Sequence, residues 1–87
     1  MDLKIDISET EEEPQIDDIP ANVIQEMIRE LPDGYRTVFN LFVFEEMSHK
    51  EIAGILGITE STSASQFHRA RNMLAKKIKD YRNRENS

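Results

Sequence analysis

The apolar residues of the chain recur at intervals of three and four, the spacing that gathers side chains on one face of a helix. Pro20 and Pro32 frame the first apolar stripe. Because proline lacks an amide hydrogen and suits the first helical position, Pro20 is predicted to open this helix, and Pro32 to end it and open the next. The second helix is predicted to run to about Glu45. The two stripes comprise, in order, Ile24, Met27, Ile28 and Leu31, and then Tyr35, Val38, Phe39 and Phe42.

A third helix is predicted to begin at Ser48, in the sequence S-H-K-E. The Ser48 hydroxyl can accept a hydrogen bond from the Glu51 amide while the Glu51 carboxylate accepts one from the Ser48 amide, an arrangement called a capping box. Gly57 can take the left-handed conformation that ends a helix, and Thr59 is a suitable N-cap for a fourth helix. The fourth helix is predicted to end at about Lys79 or slightly beyond. Its inward side carries Phe67, Ala70, Leu74, Ile78 and Tyr81.

The third and fourth predicted helices are joined by a short turn, G-I-T. Two helices with so short a glycine-containing connection are typical of the helix-turn-helix. The sequence therefore predicts an all-α domain over residues 19–82, a four-helix helix-turn-helix fold without a wing, followed by a frayed end at residues 83–87. No strand pattern competes with this assignment.

Charge divides the chain into an acidic beginning and a basic end, although the whole carries a net charge of −6. Residues 1–18 contain eight acidic residues and one lysine, a net charge of −7, and too few apolar residues to bury a core. We expect this segment to be a disordered tail or linker, with an acidic strand that threads a basic channel as the alternative. Residues 60–84 carry seven basic and two acidic residues, a net charge of +5, which favours contact with a polyanion.

Composition disfavours several other classes of protein. The chain has no cysteine, which excludes a disulfide framework, and His49 and His68 lack metal-ligand spacing. No apolar run approaches the roughly 18 residues of a membrane span, and no secretory signal is visible, so a cytoplasmic protein is expected. The hydroxyls around Ser61 have no histidine and acid in register to activate them, which disfavours an enzyme. We therefore expect no cofactor, no metal and no small-molecule substrate.

One face of the predicted fourth helix points away from the core when Phe67 is taken as the inward direction on a helical wheel. The N-terminal half of this face is small and polar, which suits a major groove, and its C-terminal half is cationic, which suits phosphates. Arg71 lies nearer the inward direction and is expected to pair with an acid such as Glu51 as often as with DNA. The outward residues are Ser61, Ser65, His68, Arg69, Asn72 and Lys76.

Three stretches together resemble region 4 of extracytoplasmic-function (ECF) sigma factors. They are L-P-D-G-Y-R-T-V-F-N-L at 31–41, S-H-K-E-I-A-G-I-L-G-I-T at 48–59 and H-R-A-R-N-M-L at 68–74. The resemblance covers about residues 20–79, and the sequence of these stretches is most similar to that of members from Bacteroidetes-type bacteria. It implies binding to the −35 promoter element, docking on the β flap of RNA polymerase, and restraint by an anti-sigma factor.

The resemblance also implies that residues 1–18 are the linker to a promoter-melting region 2, which the sequence does not show. The chain is therefore expected to be an excised domain or a natural truncation. Two positions depart from the family pattern. Ser63 stands where many members have an apolar residue, which is expected to loosen the helix pair. Ala64 stands where many have a lysine, which removes a DNA contact.

The resemblance and the charge partition together give a mechanistic hypothesis, in which the first half of the fourth helix enters the major groove of double-stranded promoter DNA. The residues predicted nearest the bases are Ser61, Thr62, Ser65 and His68, and those predicted at the phosphates are His49, Lys50, Arg69 and Lys76.

Two other functions fit the same sequence. A protein-interaction bundle would bind the polymerase flap or an anti-sigma factor without significant DNA contact, and Val23 and Val43, apolar but off the main stripes, favour it. A stand-alone helix-turn-helix regulator would instead act as a dimer.

Overall fold

Four α-helices make up the part of the chain that the structure describes. A computed structural model describes residues 19–85, and no strand occurs within them. The helices are α1 (Ala21–Arg29), α2 (Asp33–Val43), α3 (His49–Leu56) and α4 (Glu60–Glu85). The predicted all-α, four-helix fold is confirmed, whereas the acidic segment at residues 1–18, predicted to be a disordered tail or linker, lies outside the described residues.

Pro20 and Pro32 stand immediately before α1 and α2, as N-cap residues rather than as the first helical residues that the sequence predicted. Their ψ angles of 142° and 148° are extended, so each proline directs the chain into the helix without belonging to it. Each proline carbonyl still accepts a first helical hydrogen bond, from the Ile24 amide at 3.2 Å and from the Arg36 amide at 2.8 Å. The helices therefore begin one residue later than predicted.

α2 ends at Val43, short of the predicted Glu45. Glu46 has a φ of 56°, in the left-handed region that residues with a Cβ atom adopt rarely, and this residue reverses the direction of the chain. The Met47 amide then donates to the Leu41 carbonyl at 3.1 Å and closes the turn. Since no glycine marks this turn, the apolar pattern alone extended the helix too far.

Local hydrogen bonds set the ends of α3 and the start of α4, as predicted. The Glu51 amide donates to the Ser48 hydroxyl at 3.1 Å, and the Ser48 amide donates to the Glu51 carboxylate at 2.8 Å, which completes the capping box. Gly57 has a φ of 70° and a ψ of 35°, a left-handed conformation that strains any side chain. The Thr62 amide donates to the Thr59 hydroxyl at 3.0 Å and caps α4.

The main hydrophobic core joins α1, α2 and α4. On α2 the fully buried residue is Val38, and on α3 it is Ile52, each with an exposure of 0%. The predicted apolar stripes therefore face inward, as their spacing required. The buried members of the main cluster are Ile19, Met27, Ile28, Leu31, Phe39, Ala70, Leu74 and Ile78.

α4 continues to Glu85, past the predicted end at about Lys79. Tyr81 packs partly buried against the core, and the Lys77 ammonium group donates to the Glu30 carboxylate at 2.9 Å, which ties α4 to the end of α1. α4 is therefore longer than predicted, because Tyr81 packs against the core and Lys77 pairs with Glu30 of α1. Residues 83–85, part of the end predicted to fray, are helical.

Candidate nucleic-acid interface

α3 and α4 form the predicted helix-turn-helix pair, joined by residues 57–59. Ile52 is fully buried on the inner side of α3, and Ala53 and Ile58 are half-buried. The Ile58 amide donates to the Ala53 carbonyl at 3.1 Å, so the turn folds directly back on the helix that precedes it. A turn this short leaves α4 little freedom to change its angle to α3.

Phe67 connects α4 to the supporting helix α2, as its inward position on the wheel predicted. Its ring stacks on Phe39 with centroids 5.8 Å apart and lies 4.5 Å from the Phe42 centroid. The Arg71 guanidinium carbon lies 6.0 Å from the Phe67 centroid, within the range of a cation–π interaction. Arg71 is also half-buried, which favours the structural of the two roles that the sequence left open for it.

The outward face of α4 is exposed along its length. All six residues that the helical wheel placed outward are exposed, whereas Leu74 and Ile78 on the opposite side have exposures of 3% and 2%. The partition of α4 into an inner and an outer face is therefore confirmed. The contacts of that outer face with DNA stay a prediction. The six outward residues are Ser61, Ser65, His68, Arg69, Asn72 and Lys76.

The hydroxyl groups at the start of α4 differ in their surroundings. Ser61 and Ser65 are exposed, whereas Thr62 is half-buried. The Thr59 hydroxyl donates to the Thr62 hydroxyl at 2.9 Å, so the Thr62 side chain is engaged in the N-cap of its own helix. Of the predicted base contacts from hydroxyls, Ser61 and Ser65 are therefore the more accessible to a bound duplex.

His49, the first residue of α3, packs inward, although the sequence placed it on the surface near a phosphate. Its imidazole ring stacks on Phe42 with centroids 4.5 Å apart and planes inclined by 13°, and Nδ1 lies 2.8 Å from the Ser63 hydroxyl oxygen. The stack on Phe42 and the hydrogen bond to Ser63 together hold the ring between α2 and α4. Lys50, the next residue, is exposed.

Ser63 is fully buried, with an exposure of 0%, and its partner is His49. Serine at this position was expected to loosen the helix pair, but the hydrogen bond to His49 satisfies the buried hydroxyl and links α4 to α3. Sequence reasoning missed this pair. A signal was present, since Ser63 lies four residues before Phe67 and therefore shares its inward face.

The basic residues of α4 face in different directions. Arg69 is exposed, and the Lys76 side chain is 77% exposed and pairs with Asp80 at 3.6 Å. Lys77 instead faces α1, with its side chain 29% exposed in the ion pair with Glu30. The positive charge available to a polyanion therefore lies on the face that also carries Ser61 and Ser65.

Two other kinds of site find no support in residues 19–85. No helix there is both long and apolar enough to cross a membrane. No group of three or more histidine, aspartate or glutamate side chains in the same residues could hold a metal ion.

Comparisons with known proteins agree with this geometry. The chain matches the family model "Sigma-70, region 4" over residues 21–74. It is 43% identical over 60 residues, 69% of this chain, to the ECF RNA polymerase sigma factor SigW of Bacillus subtilis (strain 168). It is 36% identical over 52 residues, 60% of this chain, to the ECF RNA polymerase sigma factor SigM of the same organism. These matches cover 32% of each relative, so the chain spans about a third of their length. No solved structure matches significantly.

The family that the three sequence stretches predicted is confirmed, since the matched residues fall within the predicted range 20–79 and both relatives are ECF sigma factors. Similarity to members from Bacteroidetes-type bacteria stays a prediction. The matched residues include α1, α2, α3 and the first half of α4, which are the elements that form the core and the helix-turn-helix. The family model covers more than half of the chain, and the chain therefore belongs to the sigma-70 region 4 family.

Proposed function

We propose that the chain binds double-stranded promoter DNA at the −35 element, with the first half of α4 in the major groove, as region 4 of an ECF sigma factor. The observation that carries the proposal is the outward face of α4. This face is exposed and polar at its start and cationic further on, while the opposite face is buried. The names of the two relatives, both ECF RNA polymerase sigma factors, support the same role.

Ser61, Ser65 and His68 are exposed on the part of α4 that would enter the groove. Short hydroxyl side chains let the helix approach closely and can donate to or accept from base edges. Thr62 is half-buried in the N-cap, so its contribution would come through its methyl group or through the position of its neighbours. Readout by such groups gives modest specificity, which suits a domain that works together with a second promoter contact.

Phosphate contacts come from exposed cations on both helices of the pair. Lys50 lies at the start of α3, and Arg69 and Lys76 lie on α4. Of the two predicted contacts at the start of α3, Lys50 is better placed than His49, whose ring packs on Phe42. Three neutralised phosphates give a log Kd that rises with log salt with a slope of about 2.7. We therefore expect weak affinity for the isolated chain and a steep loss of binding as salt increases.

The test is a titration of the chain against a randomised promoter library, followed by fluorescence anisotropy on the selected sequence. Arg69→Glu should abolish binding, because it places a negative charge against the phosphates. Arg84→Glu is the matched control, since it makes the same charge change on an exposed residue of α4 that lies about 22 Å further along the helix. Absence of both sequence enrichment and salt dependence in the wild type would remove the proposal, as would equal losses in the two variants.

A second function, docking on another protein, is favoured by exposed apolar side chains away from the outward face of α4. Val43 and Phe44 at the end of α2 are 40% and 56% exposed, and Ile55 and Leu56 at the end of α3 are 62% and 38% exposed. Large apolar side chains with this degree of solvent exposure favour a protein partner. The β flap of RNA polymerase and an anti-sigma factor are the partners we propose for them. Val23 lends less support than expected, because it packs half-buried against the core.

Docking and DNA binding are separable by mutation. Phe44→Ser should weaken binding to an isolated β-flap fragment and leave DNA affinity unchanged, whereas Arg69→Glu should do the reverse. If the unchanged chain binds no promoter DNA while Phe44→Ser abolishes flap binding, the interaction module becomes the better description. Sedimentation of the free chain tests the stand-alone dimeric regulator, which requires a dimer.

The chain acts without catalysis under this proposal. His49 and Ser63 form a serine–histidine hydrogen bond of the kind that activates a nucleophile, but the Ser63 hydroxyl is fully buried and out of reach of a substrate. Promoter binding also places the chain in the cytoplasm, where the bacterial chromosome lies.

A further inference from the structure

The contact between His49 and Ser63 joins three helices at one point. His49 opens α3, its ring stacks on Phe42 of α2, and its Nδ1 atom lies 2.8 Å from the hydroxyl of Ser63 in the first turns of α4. Phe67, one helical turn beyond Ser63, lies 5.9 Å from the same imidazole ring. The histidine is thus held by two aromatic rings and one directional bond.

Directional bonding distinguishes this contact from the apolar packing around it. Apolar contacts have no preferred direction, whereas a hydrogen bond weakens steeply when its length or angle changes. The Ser63 hydroxyl is fully buried, so water cannot replace the histidine if the two groups separate. The pair therefore penalises small movements of the start of α4 relative to α3.

Ser63 lies in the part of α4 that is proposed to enter the major groove, so a penalty on its movement affects contact with DNA. The exposed residues Ser61 and Ser65 lie two positions before and after it on the same stretch of helix, and Thr62 beside it is tied to the N-cap. A helix moves as a rigid unit over this length. The bond from His49 to Ser63 therefore also fixes the positions of Ser61 and Ser65 along and around the axis of α4.

We propose that His49 and Ser63 are positioning residues for base readout, which act on DNA affinity and specificity through the orientation of the first turns of α4 without touching the duplex. The proposal rests on the function proposed above. It gives His49 a role different from the phosphate contact that the sequence predicted, and it gives a fully buried residue an influence on which bases are preferred.

The experiment uses the full chain with His49→Phe, Ser63→Ala and the double variant. Phenylalanine keeps a flat ring against Phe42 but cannot bond to Ser63, and alanine removes the hydroxyl. Each single variant should bind the selected promoter sequence about fivefold to tenfold more weakly, which corresponds to about 1–1.4 kcal/mol, and should discriminate less against a scrambled sequence. Lys50→Gln, a change at the proposed phosphate contact beside His49, is the comparison variant for direct contact with DNA.

Three readouts separate positioning from the alternatives. Lys50→Gln should reduce the salt slope of log Kd by about 0.9, whereas Ser63→Ala should leave that slope unchanged. The double variant should regain most of the wild-type melting temperature, because no buried polar group is left without a partner. Its promoter affinity should stay reduced, because the directional bond is still missing. A purely structural role predicts instead that affinity recovers together with the melting temperature.

A further measurement is the hydrogen exchange of the amides of residues 61–65 in the absence of DNA. It distinguishes failure of this proposal from failure of the proposed function. Faster exchange in the single and double variants supports positioning even if the wild type binds no promoter sequence, an outcome that would remove the DNA-binding proposal alone. The inference would be overturned if Ser63→Ala kept the affinity, specificity and exchange rates of the wild type. It would also be overturned if the double variant regained promoter affinity together with its melting temperature.

Discussion

Replacing Ser48 with alanine isolates the contribution of the capping box to the stability of the domain. The change removes the hydroxyl that accepts a hydrogen bond from the Glu51 amide at 3.1 Å. The reciprocal bond, from the Ser48 amide to the Glu51 carboxylate at 2.8 Å, can persist. Serine-to-alanine changes at N-caps cost about 1 kcal/mol, with about 2 kcal/mol as the upper end. Since Ser48 is exposed and water can reach the orphaned amide, we expect a loss of about 1 kcal/mol.

This loss converts into a clear shift of the melting temperature. For a domain of this size, 1 kcal/mol shifts the midpoint by about 4–8 °C. Thermal unfolding followed by far-ultraviolet circular dichroism resolves such a change. Glu51→Gln keeps an acceptor for the Ser48 amide and should lose less stability than Glu51→Ala, which removes that acceptor.

Ser65→Ala is the control for the same chemical change in a different place. Ser65 is exposed in the interior of α4, where alanine is a slightly better helix former than serine, so this variant should melt at or slightly above the wild-type temperature. A Ser48→Ala variant that melts with the wild type, or a Ser65→Ala variant that loses as much stability, would refute the capping argument.

Two further predictions concern the parts of the fold that depart from the sequence pattern. Glu46 has a φ of 56°, and asparagine tolerates that conformation better, so Glu46→Asn should raise the urea midpoint by the equivalent of about 0.5 kcal/mol. A lower midpoint, or an equal gain in the neighbouring control Glu45→Asn, would contradict the argument from φ. Ending the chain after Lys79 should cost about 1 kcal/mol, because it removes the partly buried Tyr81 from the core. Tyr81→Ala should reproduce most of that cost in the same urea titration, and an unchanged midpoint in both would show that the last turns of α4 are dispensable.

The features that could be predicted from the sequence are those that local chemistry decides. Ser48 and Glu51 are three residues apart and meet through the helix they begin, so their bond requires no knowledge of the rest of the chain. Gly57 ends α3 because of its own backbone freedom. The exposed face of α4 followed from helical periodicity once Phe67 had been assigned to the core.

The features that the sequence did not reveal depend on partners distant along the chain. The last turns of α4 lie beside α1, where Lys77 meets Glu30 across 47 positions and Tyr81 packs against the core. The direction of the His49 ring depends on Phe42 and on the space that Ser63 leaves in α4, and neither is close in sequence. The end of α2 is a local exception, because it depends on Glu46 adopting a backbone conformation that its residue type disfavours.

The separation of α4 into two faces bears on how the promoter preference proposed for the chain can evolve. Ser61, Ser65 and His68 are exposed, and substitutions at such positions usually change stability by less than about 0.5 kcal/mol. Under the proposed function, a lineage can therefore replace these residues and acquire new target sequences while the domain continues to fold. Ser63, only two positions from Ser61, is more constrained, because it is fully buried and any replacement must fit the space beside His49. Neighbouring positions on one helix are thus open to very different rates of change.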